Sequence, residues 1–495
     1  MSMISVQQLT FSYDGSFGNV FDQVTFQMDS DWKLGFVSRN GRGKTTFLHL
    51  LMGRYEYRGQ ISASVNFEYF PYEVRSKAEL SRTVVDEICP EVMDWQIQKE
   101  LSLLDVDVEI LDRPYETLSE GEQTKLLLAA MFLVDNAFLL LDEPTNHLDA
   151  TARESVKQYL RSKNGFILVS HDRDLLDACA DHILSINKTQ IDIQKGNFSS
   201  WWVNKMAQDE FEMAENKKLM REIGRLTESA KRGVRWADKV EDSKLGKGKD
   251  GQKVLDKGYV GHKAAKAMKR AKNIEAKRED AVRDKSMLLH NIERSDDIKI
   301  SPISFFRERL VEAEHLSVFY DQKVVFKDLN FTINRGDSVA LVGKNGAGKS
   351  SVLKLILGKD IPYTGRIKTE SGLVISYVPQ STDELSGTIR DYERSRQLDS
   401  ALFRAILDKF DFSKDQFDKK IEDYSGGQKK KVLLAASLCD RAHLYVWDEP
   451  LNFIDIFSRM QIEKMLISYQ PTLIFVEHDE AFTRAVATKT IVIGE

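Results

Sequence analysis

Two stretches of the chain combine glycine, lysine and hydroxyl residues at a spacing that suits phosphate. They are SRNGRGKTT at residues 38–46 and GKNGAGKSS at residues 343–351. Gly41 and Gly43 in the first, and Gly343, Gly346 and Gly348 in the second, let backbone N–H groups curl around phosphate oxygens at a helix N-terminus. Lys44 and Lys349 supply a point charge, and Thr45 and Ser350 a hydroxyl for Mg²⁺. Ser38, Asn40, Thr46, Asn345 and Ser351 complete the two loops as nucleotide-contact candidates. Further on, each loop is followed by an apolar run that ends in paired carboxylates: Asp142 and Glu143 in LLLDEPTNHLD, Asp448 and Glu449 in YVWDEPLNFID. An aspartate there suits Mg²⁺ through its water shell, and the glutamate can orient or deprotonate an attacking water. His171 in VSHD and His478 in VEHD come next, placed to reach the γ-phosphate side. LSEGE at 118–122 and YSGGQ at 424–428 fill the same slot in each half. A lone Asp-Glu pair is as often a solvated turn. Eight elements in matched order predict two sites of Mg²⁺-dependent nucleoside triphosphate hydrolysis.

These groups need parallel strands to hold them. At 495 residues the length suggests about three domains. Residues 1–197 alternate short apolar strands (32–37, 138–141, 165–169) with helical stretches, and residues 304–495 repeat the pattern at 338–342, 444–447 and 472–475. Each half therefore reads as an α/β domain. Between them, residues 198–303 read differently: no proline falls between Pro144 and Pro302. Residues 201–244 and 262–292 are rich in helix formers. Met206, Met213 and Met220 recur every seven residues, and Ala267, Ala271, Ile274, Ala281, Leu288 and Ile292 answer them on the return. That spacing predicts a long antiparallel α-helical hairpin with a narrow seam. At ~1.5 Å per residue the arm would reach about 65 Å. Its tip, about 246–261, carries five glycines and four lysines and breaks both helices.

Net charge is −5, yet residues 231–278 hold 16 Lys and Arg against 6 Asp and Glu. A basic middle in an acidic chain points to a polyanion partner. Three cysteines without metal-type spacing, and a start lacking a secretory signal, suit a reducing cytoplasm. No run approaches the ~20 apolar residues a membrane helix needs, which excludes a channel or permease. The last strand-like run reaches Glu495, so no C-terminal extension is expected.

The order of these elements resembles tandem ABC ATPases, and LSEGEQTK with LDEPTNHLD resembles the ABC-F group, whose members act on ribosomes. The resemblance implies two ATP molecules, with Mg²⁺, sandwiched head to tail between the cassettes of a monomer. Lys44 would then share a site with Ser425 and Gly427, and Lys349 with Ser119 and Gly121. Tyr13 and Tyr320 match the adenine-stacking aromatics, and Gln380 in SYVPQ matches the glutamine lever on the metal. Four features depart from the pattern: Ser38 for glycine, Tyr72 for the lever of the first half, Tyr424 for leucine, and LNFID for TNHLD. Ser38, Tyr72 and Tyr424 are all expected on the Lys44 site, which would be slower or differently switched.

With FDQV, FQMDSDWKLGF, NGRGKTT, the long arm and no C-terminal domain, the chain is most similar to the Lsa/Vga-type antibiotic-resistance branch. That likeness implies an arm entering the E site of the bacterial 70S ribosome, meeting P-site tRNA and approaching the peptidyl-transferase centre of 23S rRNA. Lincosamides, pleuromutilins and group A streptogramins would be displaced. Lys244, Lys247, Lys249, Lys263, Lys266 and Arg270 would face RNA phosphates, and Val254, Leu255 and Tyr259 bases at the tip. A housekeeping ABC-F translation factor is the alternative. An ATPase subunit docked on a membrane transporter is disfavoured, having no use for such an arm.

Overall fold

The computed structural model describes residues 2–15, 18–146, 148–187, 190–242, 262, 265–266, 268–269, 272–277, 279–280, 282, 300–320 and 323–494. The chain divides into two compact units, Met1–Trp201 together with Ser295–Glu495, and Trp202–Arg294. The first unit contains both α/β halves. The first half has a six-stranded sheet in the order Asn66–Phe70, Ala137–Asp142, Phe166–Val169, Lys33–Val37, His182–Asn187, Gln190–Lys195. All its pairings are parallel except the last. In the second half, Ile375–Val378, Leu444–Asp448, Leu473–Val476, Ser338–Val342 and Lys489–Val492 form an all-parallel sheet of five. A three-stranded antiparallel sheet accompanies each. Phe138, Leu139, Leu140 and Leu141 are all at most 2% exposed. A strand covered on both faces reads as an unbroken apolar run, which is why the central strands lie within a residue of where the sequence predicts them.

Register places the chemistry. Asp142 is paired with Val169 and Asp448 with Val476, so the carboxylates and the histidine loops leave each sheet at the same, carboxyl end. The Glu143 N–H donates to the Val169 carbonyl (2.9 Å), and the Glu449 N–H to that of Val476 (3.0 Å). Between Lys33–Val37 and the helix Lys44–Leu51, Gly43 has φ 95°; in the second half Gly348, before Lys349–Ile356, has φ 96°. Both conformations favour glycine, and they aim the helix N-terminus back over the sheet. Ser119 caps the helix Glu120–Met131 and Ser425 the helix Gly426–Cys439, each hydroxyl accepting an N–H from three residues on at 3.3 Å.

One helix runs over Phe198–Asp242 for 45 residues, all but its first four in the second unit, and the described residues between 262 and 282 are helical too. Met206, Met213 and Met220 are 38%, 44% and 50% exposed, and of the residues expected to answer them Ile274 is helical and half-buried, whereas Ala267, Ala271, Ala281, Leu288 and Ile292 lie outside the described residues. A slender helical device has no second layer to cover long side chains that overhang its contact line. Among the described residues no helix is long and apolar enough to cross a membrane.

Candidate functional site

The two halves meet within the first unit and bring each phosphate loop opposite the other half's signature. At the second loop, Lys349 Nζ donates to the carbonyls of Gly343 (2.7 Å) and Lys344 (3.0 Å). Burial lowers the pKa of this lysine, opposed by Glu449, by Asp149 of the first half and by Asp448. Ser350 Oγ donates to Asp448 Oδ1 at 3.2 Å. The Tyr320 hydroxyl sits 3.0 Å from Ser351 Oγ while the residue stays 44% exposed, so its ring is open to a flat partner. A cleft of about 400 Å³ is lined on one side by Asn345, Gly346, Gly348, Lys349, Gln380 and Glu449, and on the other by Glu120 and Arg153. A second hollow of about 500 Å³ shares Glu120 and Asn345 with it and reaches Ser119, Gly121 and Asp149. Size, glycine cradle and hydroxyl-carboxylate pair fit a nucleoside triphosphate with Mg²⁺.

The first loop is built alike but tied more closely to its partner. Lys44 Nζ donates to the Ser38 carbonyl (2.9 Å) and to Asn40 Oδ1 (3.4 Å). Asn40 Nδ2 donates across the interface to the Phe453 carbonyl at 2.7 Å. Thr45 Oγ1 donates to Asp142 Oδ2 (2.9 Å), and Tyr13, 45% exposed, holds Thr46 Oγ1 at 2.7 Å. Arg42 Nη2 reaches both carboxylate oxygens of Asp411 in the other half, at 2.9 and 3.2 Å. Ala347 stands at the Arg42 position in the second loop, so this fork has no counterpart there. Burial lowers the Lys44 pKa, opposed first by Asp455 from the second half's LNFID and then by Glu143.

The carboxylates differ between the sites. Glu143 and Glu449 share a left-handed backbone, φ 52° and 47°, uncommon for glutamate and recurrent at functional positions. Burial, reinforced by Asp142, pushes Glu143 up to about 8 against the pull of Arg459 and Lys44. Among the described residues its buried Oε1 has no hydrogen-bond partner, and His171 Nε2 lies 3.3 Å from it. Burial also acts on Glu449, but His478 (Nε2 3.6 Å from Oε1) and Gln380 outweigh it and hold this carboxyl below its usual range. Asn452 Nδ2 adds a bond to Glu449 Oε2 at 2.6 Å. Burial, with Lys44 and Arg459 nearby, keeps His171 well below the ordinary imidazole value, hence neutral.

The departures resolve individually. Ser38 is 2% exposed and turns its hydroxyl to the Arg39 carbonyl (3.1 Å), leaving its own carbonyl for Lys44. At Gly343, by contrast, a Cβ would meet the Ile493 carbonyl oxygen at 2.5 Å. Tyr424 does not line the site as expected. It is 5% exposed, donates to the Gln416 carbonyl at 2.6 Å and packs on Phe412, because the residue before the capping serine points into the helical core. Tyr72 stands in for the missing glutamine, but Tyr69 is the residue that donates to Asp142 Oδ2, at 3.0 Å. Arg42, Tyr69 and Asn452 were not foreseen; only the Arg/Ala difference between the loops hinted at the first. Lys266 is exposed, whereas Lys244, Lys247, Lys249, Val254, Leu255, Tyr259, Lys263 and Arg270 lie outside the described residues.

Asp455 is fully buried against Lys431 (2.8 Å) and accepts from the Ser458 N–H (3.0 Å) and Oγ (2.9 Å). Burial alone would raise this carboxyl; Lys431 and Ser458 instead hold it far below its usual range. Asp455→Asn strands a buried ammonium and should cost about 3–5 kcal/mol in chemical denaturation at neutral pH. With a depressed folded pKa, the stabilisation is complete above the unfolded value of 3.8 and fades as pH falls below it. A deficit that stays constant into strong acid would contradict the assignment.

Comparison with known proteins agrees with this geometry. The sequence pattern of the ABC transporter family matches residues 21–146 and 326–452, just over half of the chain. Ribosome protection protein VmlR of Bacillus subtilis is 27% identical over 98% of this chain and 85% of its own length. ATP-binding protein Uup of Buchnera aphidicola is 26% identical, covering 99% and 80%. ABC transporter F family member 2 of Arabidopsis thaliana is 25% identical, covering 100% and 77%. A crystal structure of the archaeal ribosome recycling factor aABCE1 in complex with the stalk protein aP1 shares the fold, with TM-score 0.63 at 19% identity, over 99% of this chain and 88% of that one. Two nucleotide-binding cassettes with these loops, signatures and carboxylates place the chain in the ABC transporter family, as an ABC-F ATPase.

Proposed function

We propose that this ATPase binds the bacterial 70S ribosome and protects its peptidyl-transferase centre from lincosamide, pleuromutilin and streptogramin A antibiotics. The observation that carries the reading is the match to a ribosome protection protein over 98% of the chain, the basic insertion included. In this reading the arm enters the E site beside P-site tRNA and 23S rRNA. The excess of lysine and arginine over 231–278 neutralises phosphate there, which makes binding salt-sensitive. Lys231, Arg232 and Arg235 are exposed on the first arm helix, as that role needs.

ATP with Mg²⁺ supplies the phosphoryl chemistry. Lys44 and Lys349 neutralise phosphate charge; Thr45, Asp142, Ser350, Asp448 and Gln380 hold the metal. Ser119 with Gly121, and Ser425 with Gly427, close the opposite walls, and Tyr13 and Tyr320 flank the base. Glu143 and Glu449 orient or deprotonate water, with His171 and His478 beside them. Closure of the halves holds the arm in place and hydrolysis releases it.

The test is membrane-free bacterial translation inhibited by a lincosamide or pleuromutilin, with purified protein titrated in. ATP-dependent rescue is expected, since efflux cannot operate without a membrane. Active ATPase without rescue would overturn protection. It would favour a housekeeping ABC-F translation factor, a reading supported by the Uup match, which spans as much of the chain.

A further inference from the structure

Residues 429–431 read KKK, which in sequence looks like one solvated helix face. Two of the three are inside: Lys430 is 1% exposed and Lys431 4%. Lys431 is spent on Asp455 and on the Phe410 carbonyl (2.7 Å). Lys430 has a different destination. Its Nζ donates to the Pro379 carbonyl (2.8 Å) and, more distantly, to the Asp448 carbonyl (3.4 Å). Pro379 immediately precedes Gln380, and Asp448 immediately precedes Glu449. The charges of Glu477, Glu449 and Asp448 all act on this ammonium.

Burying an ammonium is costly unless its donors are satisfied, and an uncharged residue would fill the space more cheaply. The first half does so: Thr124 stands at the corresponding place, five residues after Ser119 as Lys430 is five after Ser425. The same half has Tyr72 where the second has Gln380, so the lysine and the glutamine occur together and are absent together. The geometry points to Lys430 as a positioning residue of the second ATP site, pinning the start of the Gln380 loop to the end of the Asp448 strand so that Gln380 and Glu449 keep a fixed mutual placement. The lysine does not line the cleft; it acts through Gln380 and Glu449, which do. It is carried on the helix whose cap, Ser425, closes the first site, so one rigid element bears on both. The inference rests on the roles given above to Gln380 and Glu449.

Groups that orient ligands of a metal site commonly contribute about 10- to 100-fold in activity. Lys430→Met keeps the length and removes every donor. In a Glu143→Gln background, where the second site carries turnover, it should lower kcat for ATP by about that factor and leave KM unchanged. In a Glu449→Gln background it should leave the residual turnover as it was. An equal fall in both backgrounds, or a rise in KM with kcat intact, would make the lysine merely structural and overturn the assignment. Should the Met variant fail to fold, Lys430→Thr, the residue of the first half, reads the same comparison. If Glu449→Gln by itself leaves turnover intact, the reading of the second site fails first and takes this inference with it.

Discussion

Replacing Glu449 by Gln is expected to lower steady-state ATP turnover about 10²- to 10³-fold, whereas Glu143→Gln at neutral pH should lower it less than about tenfold. The difference follows from protonation. A carboxyl serves as a base only when ionised. Glu449 is held below its usual range because His478 and Gln380 outweigh burial, so it is ionised throughout the physiological range. Glu143 is pushed up to about 8 by burial and by Asp142, so at pH 7 most of it carries a proton. A neutral amide replacing a mostly neutral acid changes little; one replacing a carboxylate removes the base. The pH profile separates the two sites. With Glu449→Gln, the remaining turnover should climb as pH rises through about 8 and Glu143 ionises. With Glu143→Gln, it should be nearly flat over the same interval. The same shift opposes stability: between 4.5 and about 8 the folded chain keeps a proton that the unfolded chain gives up, so this group's contribution falls as pH rises. Steady-state phosphate release across pH 6.5–9 checks the pair, and indistinguishable profiles would refute the asymmetry.

The parallel strands were legible because burial on both faces writes them as unbroken apolar runs, and the signature helices because Ser119 and Ser425 are capping residues three positions before a Glu or Gln. Lys44, Lys349 and the Asp-Glu pairs follow from spacing alone, since their geometry is fixed by short-range backbone. Long-range placement was not legible. Tyr69 and Tyr72 are equally plausible neighbours of Asp142 until strand register sends Tyr69 opposite Leu140, two residues short of it. The partner of Arg42 lies 369 positions away, and no local pattern names Asp411. A charge run does not name its surroundings either: in the KKK stretch hydropathy cannot tell a snorkelling lysine from one that meets buried carbonyls.

Gly427→Ala should disable the first ATP site while its neighbour Gly426→Ala does not. A Cβ on Gly427 would lie 2.4 Å from the Phe453 carbonyl oxygen and 3.1 Å from Asn40 Nδ2. The first distance is too short for any carbon and oxygen, so the carbonyl must move. Phe453 already has φ 63°, leaving its backbone little latitude. Moving that carbonyl breaks the 2.7 Å bond from Asn40, whose other end receives Lys44 Nζ at 3.4 Å. One methyl group is thus relayed from the signature of one half to the phosphate loop of the other. At Gly426 the corresponding Cβ is nearest the Phe453 ring, at 3.5 Å, an ordinary contact. The first signature in fact carries Glu120 at that position. Misplacement on the scale of an ångström commonly costs about 10²-fold where groups must converge. In a Glu143→Gln, Glu449→Gln chain, which has lost the base of the faster site and keeps only slow turnover, two nucleotides should remain trapped per chain. Adding Gly427→Ala should leave one, with ATP release from the other site faster by about 10²-fold; adding Gly426→Ala should leave both. Two trapped nucleotides in the Gly427→Ala chain would mean that this glycine does not close the site built on Lys44.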